Sequence, residues 1–167
     1  AAPAGLPGKR AVSVGEWGGN PEYAIAPADR LATIPEGFDW RLGTCFQTSA
    51  YSAWHLIHTV GRIRAGDRVL LHAAAGSVAI LAAQIARDAG ATVYGLCGLS
   101  KMDFARPYGY AELLDSRNDA WVEQLKDLTG GRGADLIVDG VAGPNAARNY
   151  DAAAPLVGLR TAVGPIG

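Results

Sequence analysis

The run His72-Ala73-Ala74-Ala75-Gly76-Ser77-Val78-Ala79 carries the clearest chemical capacity in this sequence. An apolar run at 69–72 leads directly into small residues and then into a helical pattern at 78–88. Small residues let a phosphate approach the backbone, and a helix start offers amides without intrahelical acceptors and the positive end of its dipole. Against the glycine fingerprint of dinucleotide loops, Ala74, Gly76 and Ala79 occupy the three glycine positions, and Ala is a usual substitute only at the last. On this run alone, an alanine-rich turn that binds nothing stands nearly level with a pyrophosphate cradle. Its place at the first strand of a strand–helix–strand series favours the cradle, with Ala75, Gly76, Ser77 and Val78 as its contacts.

About 20 residues beyond the central glycine, an NAD site carries Asp or Glu for the adenosine ribose. This chain has Leu96-Cys97-Gly98-Leu99-Ser100-Lys101 there, with no acid. A 2′-phosphate would meet no repulsion, and Ser100 and Lys101 could donate to it, so NADPH is favoured over NADH. The alternative use of the pair, Ser100 capping the next helix and Lys101 on a solvated face, is compatible with that role. His55 and His58 stand three apart on a helical pattern, a spacing that could present two imidazoles to a metal. No third ligand accompanies them, and no zinc site is expected. His72, at the strand end, is expected to satisfy backbone groups. Cys45 has no basic partner and reads as a buried small hydrophobe. Residues 117–126 read as a solvated helix face.

The elements that must hold the loop follow from the hydrophobic pattern. Apolar runs at 69–72, 92–96, 112–114, 136–138 and 160–163 alternate with helical patterns at 78–88, 101–108, 120–128 and 145–154. Such alternation predicts an α/β fold with a doubly wound parallel Rossmann sheet, because parallel neighbours need crossover connections. A helix is predicted over 44–60, and short strands over 10–14 and 23–26, with no helix in the first forty residues. This places a β-rich segment at 1–40 and the dinucleotide-binding domain at 41–167. With 49% hydrophobic and 19% charged residues among 167, the chain can bury a core. Fifteen basic and 16 acidic residues give a net charge of −1, which argues against nucleic-acid and membrane partners. Two cysteines and the absence of a signal-like or membrane-length apolar segment point to a cytoplasmic protein.

In this order, several segments together resemble the zinc-independent quinone oxidoreductase branch of the medium-chain dehydrogenase/reductase superfamily. They are Tyr23-Ala24-Ile25-Ala26-Pro27-Ala28-Asp29-Arg30-Leu31, Ile34-Pro35-Glu36-Gly37, residues 66–76 and Leu128-Thr129-Gly130-Gly131-Arg132-Gly133-Ala134-Asp135. The resemblance implies metal-free hydride transfer from NADPH to quinones or to double bonds conjugated with a carbonyl. It implies that Ser52, in Ser52-Ala53-Trp54, starts the helix behind the nicotinamide. Asp139-Gly140-Val141-Ala142-Gly143 resembles a loop near the cofactor, and Val163-Gly164-Pro165-Ile166-Gly167 the loop at the nicotinamide end. The cofactor contacts are therefore expected at Ser52, Ala75, Gly76, Ser77, Val78, Ser100, Lys101, Val141 and Gly164. Relatives of this branch extend further at both ends, upstream with a GroES-like domain of which 1–40 resembles a remnant, so no catalytic residue carries over. Two alternatives stay open. One is a Rossmann scaffold that binds another ligand or performs proton chemistry. The other is an interaction subunit whose exposed cleft is covered by a second copy or a partner chain.

Overall fold

The computed structural model describes residues 5–13, 22–143, 146–154 and 160–163. It divides into two compact units, Ala1–Ser49 and Ala50–Gly167. The dividing point lies inside a helix that begins at Trp40.

In the first unit, strands β1 (Ala11–Ser13) and β2 (Leu31–Thr33) pair antiparallel, with Val12 opposite Ala32. The strand expected over 23–26 is not formed: that stretch is irregular, and Tyr23 and Ile25 are almost fully exposed. Leu31–Thr33 takes the ladder position instead. A strand needs a hydrogen-bonded neighbour, and Pro27 following Ala26 has no N–H to donate to one.

The helix predicted over 44–60 starts earlier, as α1 (Trp40–Trp54), and continues as a π-type turn through His55–Val60. The Asp39 carboxylate accepts the amides of Arg41 and Leu42 at 2.7 and 3.2 Å, which caps the start. The sheet of the second unit contains β3 (Arg68–His72), β4 (Thr92–Cys97), β5 (Glu112–Asp115), β6 (Leu136–Asp139) and β7 (Arg160–Val163), ordered β5-β4-β3-β6-β7 and parallel throughout. All five strands match the apolar runs of the sequence.

Both faces of this sheet are covered. Val69, Leu71, Val93, Leu136 and Val138 pack with α2 (Ser77–Asp88), whose Ala79, Ala82, Ala83 and Ala86 are buried, and with Ala53 and Ile57. Leu70, Tyr94, Leu96, Leu114 and Ile137 pack on the other face with Trp121, Val122 and Leu125 of α4 (Trp121–Leu128) and Ala152 of α5 (Arg148–Ala152). The absence of period-two polarity in these strands follows from that double covering. Between β4 and β5 the helical pattern breaks into a 3-10 turn (Leu99–Lys101), the short α3 (Met102–Ala105) and a second 3-10 turn (Arg106–Tyr108). Pro107 has no amide to continue the α-helix, and Gly109 at φ +96° ends the segment.

At the opposite end of the sheet, Arg68 grips Asp135 with Nε and Nη2 at 2.7 and 2.6 Å, which joins the starts of β3 and β6. The chain between α4 and β6 turns through Gly133 at φ +73°, where a Cβ would stand 2.5 Å from the Ala152 carbonyl oxygen. Glycine there lets α5 approach the start of β6. Among the described residues, no helix is long and apolar enough to cross a membrane.

Candidate functional site

The strand order reverses between β3 and β6, so their C-terminal ends, His72 and Asp139, border the crevice where open α/β sheets take ligands. Two adjoining clefts open there. One, of about 320 Å³, is lined by His72, Ala73, Ala75, Gly76, Leu96, Cys97, Gly98, Ser100, Lys101, Ser116, Arg117 and Val141. The other, of about 200 Å³, lies between Leu56, Leu71, the start of α2, Val138, Gly140 and Val141, and is largely apolar.

The loop between β3 and α2 departs from the glycine-based pattern in its backbone conformation. Gly76 has extended backbone at φ −82° and stands at the cap position of α2, and its amide reaches the Ala73 carbonyl at 2.7 Å. The left-handed residue of the turn is Ala73, at φ +49°. Ala74 packs against β4, its amide donating to Leu96 O at 3.1 Å and its carbonyl accepting the Tyr110 hydroxyl at 2.8 Å. Ala79, in the third glycine position, joins the core cluster with Leu71 and Val138. The left-handed conformation of Ala73 stores strain that glycine would release. Against this gain stands the added freedom of an unfolded glycine, so Ala73→Gly is expected to stabilise the fold by about 0.5 kcal/mol. Urea denaturation checks it, and a loss of stability would show that the methyl makes a compensating contact.

Ser100 and Lys101 lie in the 3-10 turn after β4, exposed on the wall of the larger cleft, and Ser100 makes no capping bond. The structure adds two residues to that wall. Ser116 and Arg117 follow β5 directly, and Arg117 lines the cleft instead of sharing the solvated face of α4, which corrects its reading from the sequence. The Asp115 carboxylate accepts the Arg117 amide at 3.1 Å. The signal that would have found Arg117 is positional: it follows the third strand of the unit just as Ser100 and Lys101 follow the second.

Of the other expected contacts, Ala75, Gly76 and Val141 line the larger cleft, and Gly76, Ser77, Val78 and Val141 the smaller. Ser52 lines neither. It is half-buried near the end of α1, inside a helical run that continues to Val60 and not at a helix start. Gly164 lies outside the described residues.

Among the described residues, the His72 ring bonds to no backbone group. Its Nε2 faces Asn149 Oδ1 at 2.8 Å, its Nδ1 stands 3.5 Å from Asp139 Oδ1, and Trp121 meets its ring edge-on. Burial lowers the His72 pKa below the ordinary imidazole value, against the upward pull of Asp139 and the Asn149 bond. Burial presses Asp139 the other way, but the amides of Ala142 and Val141, the nearby imidazole and the Asn149 amide outweigh it, and its pKa lies below the usual carboxylate value. Sequence reading missed this cluster because Asp139 and Asn149 reach His72 only through the fold.

The remaining candidates behave as ordinary side chains. His55 bonds to Thr59 at 2.9 Å and packs on Tyr51, while His58 packs on Trp54. No three His, Cys, Asp or Glu side chains gather into a metal-binding group among the described residues. Cys45 is exposed, contrary to its reading as a buried hydrophobe; Cys97 is the buried thiol.

Comparison with known proteins bears on the same segments. Residues 77–164 match the family described as zinc-binding dehydrogenase. A mycocerosic acid synthase-like polyketide synthase of Mycobacterium tuberculosis is 38% identical over 133 residues, covering 78% of this chain and 6% of that protein. Among solved structures, CurK enoyl reductase superposes with a TM-score of 0.74 at 25% identity, over 78% of this chain and 39% of its own. A mycobacterial protein complexed with NADPH gives 0.71 at 28% identity, over 77% and 41%. The chain spans 6% of that curated relative and about two-fifths of these two structures.

Proposed function

The chain belongs to the zinc-binding dehydrogenase family of the medium-chain dehydrogenase/reductase superfamily, and we propose from that premise that its crevice holds NADPH for the reduction of a double bond conjugated with a carbonyl. The observation that carries the cofactor choice is the cleft wall formed by Ser100, Lys101, Ser116 and Arg117, in the same cleft that Gly76 lines at the start of α2.

The donor set fits a phosphorylated dinucleotide. Two cations and two hydroxyls at one end suit a 2′-phosphate, and the amides at the start of α2 suit a pyrophosphate. The apolar cleft between Leu56, Val78, Val138 and Val141 suits an uncharged ring face, with Leu71 and Ala82 beneath. When bound, the cofactor supplies the hydride. The chain's own residues bind it, orient it and exclude water from one face. Likeness to CurK enoyl reductase supports an enoyl substrate over a quinone.

The test is a titration of NADPH and NADH into the wild-type protein and Arg117→Ala, followed by tryptophan fluorescence. NADPH is expected to bind more tightly than NADH. Arg117→Ala should weaken NADPH by about tenfold, the worth of one charge-assisted bond, and leave NADH unchanged. Equal loss for both nucleotides, or no NADPH binding to the wild type, would overturn the reading. With NADPH bound, turnover of a 2-enoyl thioester against a benzoquinone decides the acceptor class.

A further inference from the structure

Three buried polar side chains form a cluster at the floor of the crevice, of which His72 also lines both clefts. Asp139 is 1% exposed, and His72 and Asn149 are each 6% exposed. Asn149 Nδ2 donates to Asp139 Oδ2 at 2.8 Å. A carboxylate only accepts, so this bond fixes the amide orientation and leaves Asn149 Oδ1 facing His72 Nε2, which therefore carries the proton. Asp139 Oδ1 accepts the amides of Val141 and Ala142, both at 2.9 Å. The result is one hydrogen-bonded chain from the end of β3, through α5, to the loop after β6.

Each end of that chain adjoins a residue held in the left-handed region without being glycine. Ala73, next to His72, has φ +49°, and Ala142, bonded to Asp139, has φ +55°. Such backbone persists only when its surroundings hold it, and these two residues belong to the loops that follow β3 and β6 at the crevice. The centre of the chain is itself well anchored. The Ala134 amide donates to Ala152 O at 2.9 Å, the Ala154 amide to Ala134 O at 2.8 Å, and Arg148 pairs with Asp119 at 2.7 Å.

We propose that Asn149 is a positioning residue that ties the loop after β3 to the loop after β6, so that the two walls of the crevice keep one spacing and move as a unit. The functional consequence rests on the dinucleotide reading above, whereas the mechanical coupling is a property of the chain alone. Without Asn149, His72 and Asp139 each lose a buried partner, and only the 3.5 Å His72–Asp139 approach and the β3–β6 ladder then relate the two loops.

Two measurements test this and separate it from the cofactor reading. Hydrogen exchange is followed on the ligand-free protein for the wild type, Asn149→Ala and Asn149→Ser, the serine variant keeping a polar atom in case the alanine variant does not fold. Exchange at the amides of Ala74, Gly76, Val141 and Ala142 is expected to rise together, by about tenfold, while Leu70 and Ile137 at the middle of the sheet keep their wild-type rates. A rise confined to one loop or to α5, or spread evenly over the sheet, would overturn the coupling. In the binding arm, NADPH, which needs both walls, should weaken by about tenfold in either variant. Adenosine 2′,5′-bisphosphate, which needs only the Ser100, Lys101 and Arg117 wall, should stay within about twofold. Equal weakening of the two ligands would reduce Asn149 to a general structural role. Failure of the wild type to bind NADPH would remove the cofactor reading while the exchange result still decides the coupling.

Discussion

Asp139→Ala is expected to lower the stability of the fold by about 3 kcal/mol, the sum of one orphaned buried amide and the lost support of two loop N–H groups. The Asn149 amide, 6% exposed, loses its only acceptor in the cluster. Asp139→Asn should cost less. An amide oxygen at 139 still accepts from Val141 and Ala142, and Asn149 can turn over if His72 changes tautomer. Urea denaturation of the three proteins at neutral pH gives the comparison. If the asparagine variant falls as far as the alanine variant, the negative charge and not the hydrogen-bond pattern is what the site requires.

The same cluster sets the sign of the acid response. His72 and Asp139 both have native pKa values below their ordinary ones, so the unfolded chain binds protons that the native chain refuses. Stability is therefore complete above the ordinary imidazole value of 6.5, declines below it as His72 is forced to charge, and declines again below 3.8 as Asp139 is forced to neutralise. Removing Asp139 removes the charge that pulls the His72 pKa upward while the burial remains. The Asp139→Ala protein should consequently lose stability more steeply than the wild type between neutral pH and pH 5. A parallel pair of curves over that range would mean that His72 does not sense Asp139.

What the sequence made legible was periodic, and what it hid depended on contact across the fold. The five parallel strands were visible because doubly covered strands read as unbroken apolar runs, and α2 because its alanines recur on one face. The candidate cradle at Gly76, Ser77 and Val78 and the pair Ser100 and Lys101 were legible because each follows a strand end within a few residues. Arg117 was hidden by the charged pattern running into α4, which suggested a solvated face. Asn149 was hidden because it lies 77 positions from His72, and only the anchoring of α5 against Ala134 brings the two together. The missing strand at 23–26 shows the opposite failure: local β-propensity was present, but Leu31–Thr33 took the partner.

Gly95→Val is expected to be at least as damaging as Asp139→Ala, at about 3 kcal/mol, and its damage should be aimed at the loop between β3 and α2. A Cβ at Gly95, in the middle of β4, would stand 2.6 Å from Leu113 Cδ2, 2.7 Å from Ala74 Cβ and 2.8 Å from Tyr110 Cδ1. Leu113 can turn its methyl aside. Ala74 cannot, because its Cβ is fixed to a backbone that donates to Leu96 O and accepts from Tyr110 Oη. The loop itself must shift, so NADPH binding should fall along with stability. This contact also accounts for the departure from the glycine fingerprint. The methyl of Ala74, at the first glycine position, fills the space that Gly95 leaves open. Exchanging the two residues tests that directly: Ala74→Gly and Gly95→Ala should each destabilise, and the double variant should recover about 1 to 2 kcal/mol relative to the sum of the singles. If the two effects simply add, the methyl of Ala74 and the bare face of Gly95 are independent, and the alanine at the first glycine position needs another explanation.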